Sequence, residues 1–411
     1  MKITIISLNY SPENIGIGKY NTELAEYLTD AGHDIEIITA PPYYPDWELS
    51  SKYNKFWFET ENINNVKVMR CPIYVPKKVT TVSRLFHLAS FAITSTIRLV
   101  STAFKRKDII LLVQPTFFCA PSVILFSKLF KVRTIMHIQD YELDAMLGLG
   151  MASKNSMFSR TLKRIESFIT NRFDQVSSIS LSMLDRARNL GVKKDKLVLF
   201  PNWADINFVT PETSSDVFRD KLNFDTSDKI VLYSGNIGKK QGLEIVLDVA
   251  KRLEHDKSLK FLLVGTGAHI DTLKKYSRDL NLNNITFLPL QAWQDVPYLL
   301  AMADLHLVIQ KKGVADAVLP SKLTNILAVG GHSIVTAEPN TELGRIENKF
   351  PGIYTLIPPE DTAALEKAIR FALENTNIDS HNKVARDYAE KYLSKSMTIN
   401  NFISDISRSN I

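Results

Sequence analysis

Short apolar runs alternate with helix-patterned segments along this chain, and the alternation comes in two blocks. The first block places strand-like runs at 3–8, 35–39, 66–70, 109–113, 133–138 and 176–179; the second places them at 230–234, 261–264, 285–288, 305–309, 333–335 and 353–356. Runs that stay apolar suit strands covered on both faces, and the helices between them supply the cover. Each block therefore predicts a parallel sheet between helical layers. Between the blocks, residues 201–216 (PNWADINFVTPETSSD) lose periodicity and gather Pro, Asn, Thr and Ser, as a domain boundary does. The expected fold is α/β: two doubly wound, Rossmann-like domains, 1–200 and 217–383, joined by 201–216 and facing across a cleft. The amphipathic pattern of 384–411 is expected to pack back on the first domain. Ligands of such sheets bind beyond the carboxyl ends of the strands, so the loops there are where chemistry is sought.

Several of those loops are suited to an anion. The segment 314–331, VADAVLPSKLTNILAVGG, carries Asp316, then Pro320 at the start of a predicted helix, Ser321 and Lys322 in its first turn, and Gly330 and Gly331 at its end. Free amides, a hydroxyl and an ammonium group at one helix start can hold a phosphate, whereas the plainer alternative is a capped helix packing Leu323, Ile326 and Leu327 into a core. After the first strand of the second block, YSGNIGKKQGLE offers Gly235, Gly238, Lys239 and Lys240 before a helix predicted from near Gln241. Two helix starts and three lysines suit a diphosphate; solvated surface lysines are the alternative.

In the first block, SPENIGIGKY sets Gly16 and Gly18 ahead of a helix starting near Lys19, with Tyr20 and Asn21 following. The turn lacks the third glycine of a dinucleotide fingerprint. The loop MHIQDYELDAM puts His137 at a strand end with Asp140, Glu142 and Asp144 after it, where a hydroxyl-rich ligand could be bound. No second histidine stands at ligand spacing, so no metal is expected.

Charge is unevenly spread. Residues 1–200 hold 26 Lys+Arg against 18 Asp+Glu, a balance of +8, and residues 201–411 hold 24 against 26, a balance of −2. The basic half suggests an anionic surface as partner, and without an RNA- or DNA-binding motif that surface is expected to be a membrane rather than nucleic acid. Residues 76–107 carry Lys77, Lys78, Arg84, Arg98, Lys105, Arg106 and Lys107 and no acid, around an apolar middle too short to span a bilayer. That pattern fits a basic amphipathic helix lying in an interface; a core helix with basic ends is the alternative. Two cysteines cannot make a disulfide framework, and Met1 leads into a strand-like run rather than a signal peptide. The expected location is cytoplasmic, peripheral at the inner face of the cytoplasmic membrane.

Taken together, NYSPENIGIGKY, ITAPPYYP, YVPKK, HIQDYELDAMLGLG, FPNWAD, YSGNIGKKQGLE and ADAVLPSKLTNILAVGG make the chain resemble the retaining family 4 glycosyltransferases of GT-B fold. Within them it is most similar to the fucosyltransferases of colanic-acid-type exopolysaccharide assembly. The resemblance implies a metal-independent, retaining transfer with no cofactor, from a nucleotide-sugar held by the second domain to a lipid-linked saccharide held by the first, with GDP-fucose as donor. It implies catalytic roles for His137 and Asp316. Donor contacts are implied for Gly16, Gly18, Asn236, Lys239, Lys240, Gln241, Ser321, Lys322, Leu323 and Asn325, and acceptor or cleft positions for Tyr20 and Asp140. The chain departs from the family pattern at four places. Ala317 and Asn325 replace the usual acids, with Asp316 one residue early, and Asn236 and Gln241 replace the usual Arg and Lys. A UDP-sugar transferase and a sugar-nucleotide epimerase are the alternatives, and an epimerase would need acid and base carboxylates at the cleft.

Overall fold

The computed structural model describes residues 1–13, 16–141, 157–313, 319–375 and 380–408. It resolves into two units, Met1–Phe200 with Asn401–Ile411 and Pro201–Asn400.

The first unit is built on eight strands: β1 (Lys2–Ile6), β2 (Asp34–Thr39), β3 (Glu59–Ile63), β4 (Val66–Arg70), β5 (Ile109–Gln114), β6 (Arg133–Ile138), β7 (Gln175–Ser178) and β8 (Leu197–Leu199). They lie in the order β3-β4-β2-β1-β5-β6-β7-β8. All neighbours run parallel except β3 with β4, an antiparallel hairpin turned through Asn64 and Asn65, both at positive φ. The order reverses between β1 and β5, so the loops after these two strands flank the crevice of the sheet. Every residue of β5 is buried, as a central parallel strand requires. Three helices matter below: α1 (Ile17–Asp30) follows β1, α2 (Thr81–Ser101) precedes β5, and α3 (Ala120–Phe130) follows it.

The second unit holds β9 (Lys229–Ser234), β10 (Leu259–Val264), β11 (Ile285–Leu288), β12 (Leu305–Val308), β13 (Ser333–Thr336) and β14 (Thr355–Ile357), all parallel, in the order β11-β10-β9-β12-β13-β14. This is the doubly wound order with its switch point between β9 and β12. Alternate residues of β9 enter opposite cores: Ile230 and Leu232 pack on one face, Val231 and Tyr233 on the other.

Residues 201–216 are part of the second unit, with Ala204 and Val209 fully buried in its core. Ala204 also bridges to Ser394. The last helix, Lys395–Arg408, is divided at Asn400. Its final residues belong to the first unit, where Phe402 stacks on Phe200 at 3.9 Å between centroids and 8° between planes. Cys71 and Cys119 are buried and form no disulfide.

Candidate active site

In the second unit the switch point carries a lysine with no acidic partner among the described residues. Helix Ser321–Ala328 begins after Pro320, and its second residue, Lys322, runs back along the end of β9. The Lys322 Nζ donates to the Tyr233 hydroxyl at 2.8 Å and lies 4.0 Å from that ring's centroid. The hydroxyl in turn donates to the Asn236 carbonyl at 2.7 Å. Gly235 leaves room for this arrangement, because a Cβ there would sit 3.3 Å from Nζ. Burial pulls the Lys322 ammonium down to about 7. An ammonium group so placed gains its full charge when an anion binds beside it.

The loop after β9 is held from below. Gly235 N–H bonds Val264 O at 2.9 Å, Ile237 N–H bonds Thr266 O at 2.8 Å, and His269 N–H bonds Ile237 O at 3.1 Å. The contact is so close that a Cβ on Gly265 would lie 1.8 Å from the Gly235 carbonyl oxygen. The helix after this loop starts at Glu244 rather than near Gln241, because the chain makes a further turn through Gly242 at φ 66°. Gln241 spends its side-chain oxygen on Gly238 N–H at 3.0 Å and so fixes the loop instead of presenting itself to a ligand. Asn236, Lys239 and Lys240 are exposed on the loop. Lys311, which the sequence did not single out, joins them: its N–H bonds Lys240 O at 2.9 Å and its stem covers Gly242. A lysine shortly after a strand gives no signal of its own until the fold brings β12 beside β9.

Ser321 is exposed as the first helical residue, after Pro320 at the cap position. Leu323 corrects the expectation of a donor contact: its side chain is fully buried in the core and its N–H bonds Pro320 O at 2.8 Å. Asn325 is half-buried, and its side-chain amide has no hydrogen-bond partner among the described residues. Asp316 and Ala317 lie outside the described residues, as do Glu142 and Asp144.

In the first unit the glycine turn is folded over a buried acid. Glu13 accepts Tyr43 and Tyr44 N–H at 2.7 and 2.8 Å and the Asn9 amide at 2.8 Å. Burial raises its carboxyl despite these bonds. Gly16 caps α1 at φ 57°, and a Cβ on Gly18 would be 2.4 Å from Glu13 O. Tyr20 is buried on α1 rather than open to a ligand, and Asp140 is exposed after β6.

His137 is buried, and burial holds its ring neutral, with its pKa pulled down to about 3. The Gln139 amide donates to Nε2 at 3.1 Å, so Nδ1 carries the hydrogen and donates to Ser177 Oγ at 2.9 Å. With both nitrogens engaged, the imidazole expected to be catalytic has no free donor or acceptor to offer.

The basic segment behaves differently from its sequence pattern. Lys107 is buried and pairs with Glu36 at 3.5 Å, so it presents no charge to a surface. Arg98 donates to the Thr60 hydroxyl and to Glu59 O, tying α2 to β3. Arg84 is half-buried, and Lys77, Lys78, Lys105 and Arg106 are exposed. Between these basic ends, Val82, Phe86, Ile93, Ile97 and Val100 form an exposed stripe at helical spacing. No described helix is long and apolar enough to cross a membrane. Among the described residues, no group of three or more His, Cys, Asp or Glu side chains is placed to hold a metal.

Comparison with known proteins agrees with the fold. Residues 16–203 match a glycosyl transferase 4-like domain, and residues 214–392 match glycosyl transferases group 1. A protein of Escherichia coli (strain K12) named as a colanic acid biosynthesis glycosyl transferase, WcaI, is 46% identical over 99% of this chain and all of its own length. Among solved structures, sucrose-phosphate synthase from Thermosynechococcus elongatus superposes with a TM-score of 0.72 at 18% identity, covering 99% of this chain and 98% of its own. Anabaena HepE in complex with UDP-glucose superposes at 0.70 and 18% identity over the whole of both chains. These two share the GT-B fold. The chain belongs to the group 1 glycosyl transferase family.

Proposed function

We propose that this protein transfers fucose from GDP-fucose to a lipid-linked glycan in the assembly of a colanic-acid-type exopolysaccharide. Lys322 is the observation that carries the donor half: an ammonium group at a helix start, at the switch point, with no carboxylate among the described residues to neutralise it. When the bond from sugar to diphosphate breaks, negative charge grows on the leaving oxygen, and a fixed cation in a half-buried site stabilises it more in the transition state than before. Lys239, Lys240 and Lys311 border the same loop and add to the positive field. This set needs no metal to neutralise the leaving group. In a retaining transfer the acceptor hydroxyl attacks from the face the diphosphate leaves, and a departing phosphate oxygen takes its proton. No side chain is assigned as nucleophile. The 46% identity to the colanic acid transferase supports the pathway and the glycan acceptor.

A UDP-sugar is the second reading of the donor, supported by the likeness to a structure holding UDP-glucose. Thermal shift with GDP, UDP, GDP-fucose and UDP-glucose separates the two, since a ligand at 100 times its dissociation constant stabilises by about 2.7 kcal/mol. Stabilisation by uridine compounds alone would remove the fucose donor; no response to any of the four would remove the transferase reading. The exposed stripe of α2 between lysine-bearing ends supports a membrane-lying first unit at the inner face of the cytoplasmic membrane.

A further inference from the structure

A cleft of about 760 Å³ opens wholly within the first unit, between residues 46–56, residues 72–77 and the face of α2 that carries Ser90 and Thr94. None of the residues assigned to the donor lines it. Its volume falls in the range of about 300–1,000 Å³ found for sites of small organic ligands.

One wall is Trp47, held at φ 55°, a conformation bulky residues rarely adopt. Its neighbours enforce it: the indole meets the Tyr43 ring at 5.5 Å and the His87 ring at 5.2 Å. Tyr43 is pinned in turn through its N–H to Glu13, the buried acid beneath the glycine turn. His87 donates to Tyr74 O at 2.6 Å, which sets the opposite lip. Phe56 and Tyr74 are left 80% and 49% exposed, so apolar rings face water at the mouth.

Between these rings stand Asp46, Glu48, Lys55 and Lys77, and among the described residues none of them has an ion-pair partner and the Trp47 indole N–H has no acceptor. Flat aromatic faces beside unspent carboxylates and ammonium groups match a pyranose ring, which has an apolar C–H face and a rim of hydroxyls. A lipid chain would have to bury four charged side chains, and with two carboxylates offsetting the two ammonium groups the cleft has no net positive charge to hold a phosphate.

We propose that this cleft is a saccharide-binding subsite, stacking rings of the acceptor glycan on Trp47 and Tyr74 with their hydroxyls bound by Asp46 and Glu48. The term acceptor rests on the transferase reading above; the saccharide site itself does not. The cleft shares α2 with the exposed apolar stripe, so a glycan emerging from a lipid anchor would meet it along the same helix.

The test is titration calorimetry of the full chain with a panel of short oligosaccharides of defined sequence cut from bacterial exopolysaccharides. The expected result is a bound oligosaccharide whose affinity falls about tenfold or more in Trp47→Ala and in the double variant Asp46→Asn/Glu48→Gln. Trp47→Phe is expected to keep most of the affinity, and Lys322→Ala all of it. The thermal melts of these variants show that the unit is folded. Binding undiminished in folded Trp47→Ala, no oligosaccharide bound by wild type, or a Trp47-dependent association with lipid vesicles alone each overturns the proposal. Nucleoside diphosphate binding, measured alongside, decides the transferase reading separately: oligosaccharide bound through Trp47 without any nucleotide response leaves the cleft standing and removes only its role as acceptor site.

Discussion

Lys322 Nζ and the Tyr233 hydroxyl are 2.8 Å apart, and the hydroxyl passes the interaction on to the Asn236 carbonyl. One ammonium group is thus joined to the backbone of the loop that would face a diphosphate. Lys322→Ala is expected to lower turnover by about 10²–10³-fold, the cost of removing one preorganised oxyanion-stabilising group. Its melting temperature should stay level or rise, since the substitution removes a half-buried charge without removing a partner acid. Turnover within a few-fold of wild type would sink the diphosphate role. Tyr233→Phe keeps the ring and deletes the hydroxyl, so it should lower kcat by about tenfold, roughly the worth of one hydrogen bond to a charged group. KM for the donor should change less.

Protonation of Lys322 gives a dependence on pH whose sign can be worked out. In the folded chain the ammonium loses its proton near pH 7, whereas an unfolded lysine keeps it to about 10.4. Between those values the unfolded chain binds the extra proton, so this residue's contribution to stability should rise with pH across that window. A bound diphosphate favours the charged form. Nucleotide binding should therefore take up a proton above pH 7 and weaken as pH rises. Calorimetry at pH 8 in two buffers of different ionisation heat measures the uptake directly, and equal heats in both would rule the coupling out.

Much of this was legible in the sequence, and the exceptions have physical causes. Twelve strand-like runs identified two parallel sheets because strands buried on both faces are apolar throughout. Both edge strands of the first sheet were missed: Glu59–Ile63 alternates half-buried with exposed positions and carries two acids, and Leu197–Leu199 is only three residues long. Pro320 marked the helix start that puts Ser321 and Lys322 in the first turn, whereas Leu323, expected at the donor, is buried in the core. Spacing alone does not say which side of a first turn faces out. Lys107 looked like part of a basic run, and only the strand order brings Glu36 within 3.5 Å of it. Lys311 belongs to none of the motif segments, and Glu13 and Tyr233 lie inside them with no role read from them, because their bonds to Tyr43 and Lys322 come from 30 and 89 residues away.

The contact between Gly265 and the Gly235 carbonyl makes a prediction about loop placement. A Cβ at 1.8 Å from a backbone oxygen cannot be accommodated by turning a side chain, and Gly265 also sits at φ 154°. Gly265→Ala is expected to destabilise the second unit by about 3 kcal/mol, at the upper end of overpacking costs, and to displace the loop that holds Asn236. Chemical denaturation measures the first effect. Loss of nucleotide-induced thermal shift in the folded variant measures the second, and an unchanged shift would show that the loop does not set the donor site.

The outward stripe of α2 can be tested apart from catalysis. Phe86, Ile93 and Ile97 are 65%, 64% and 54% exposed, yet lie on a helix whose other face already packs Leu88, Phe91 and Leu99. An apolar face left open to water by a helix that is apolar on its inner side also is a surface awaiting cover. Lys77, Lys78, Lys105 and Arg106 lie beyond its two ends, where they could meet anionic headgroups at about 1 kcal/mol each. The wild-type chain should float with vesicles of anionic lipid at low salt and less so at high salt, and not with neutral ones. Phe86→Ser/Ile97→Ser should abolish flotation while leaving nucleotide-induced stabilisation intact. Lys105→Gln/Arg106→Gln should weaken it and reduce its salt dependence. Flotation unaffected by both pairs would place the membrane contact elsewhere on the first unit.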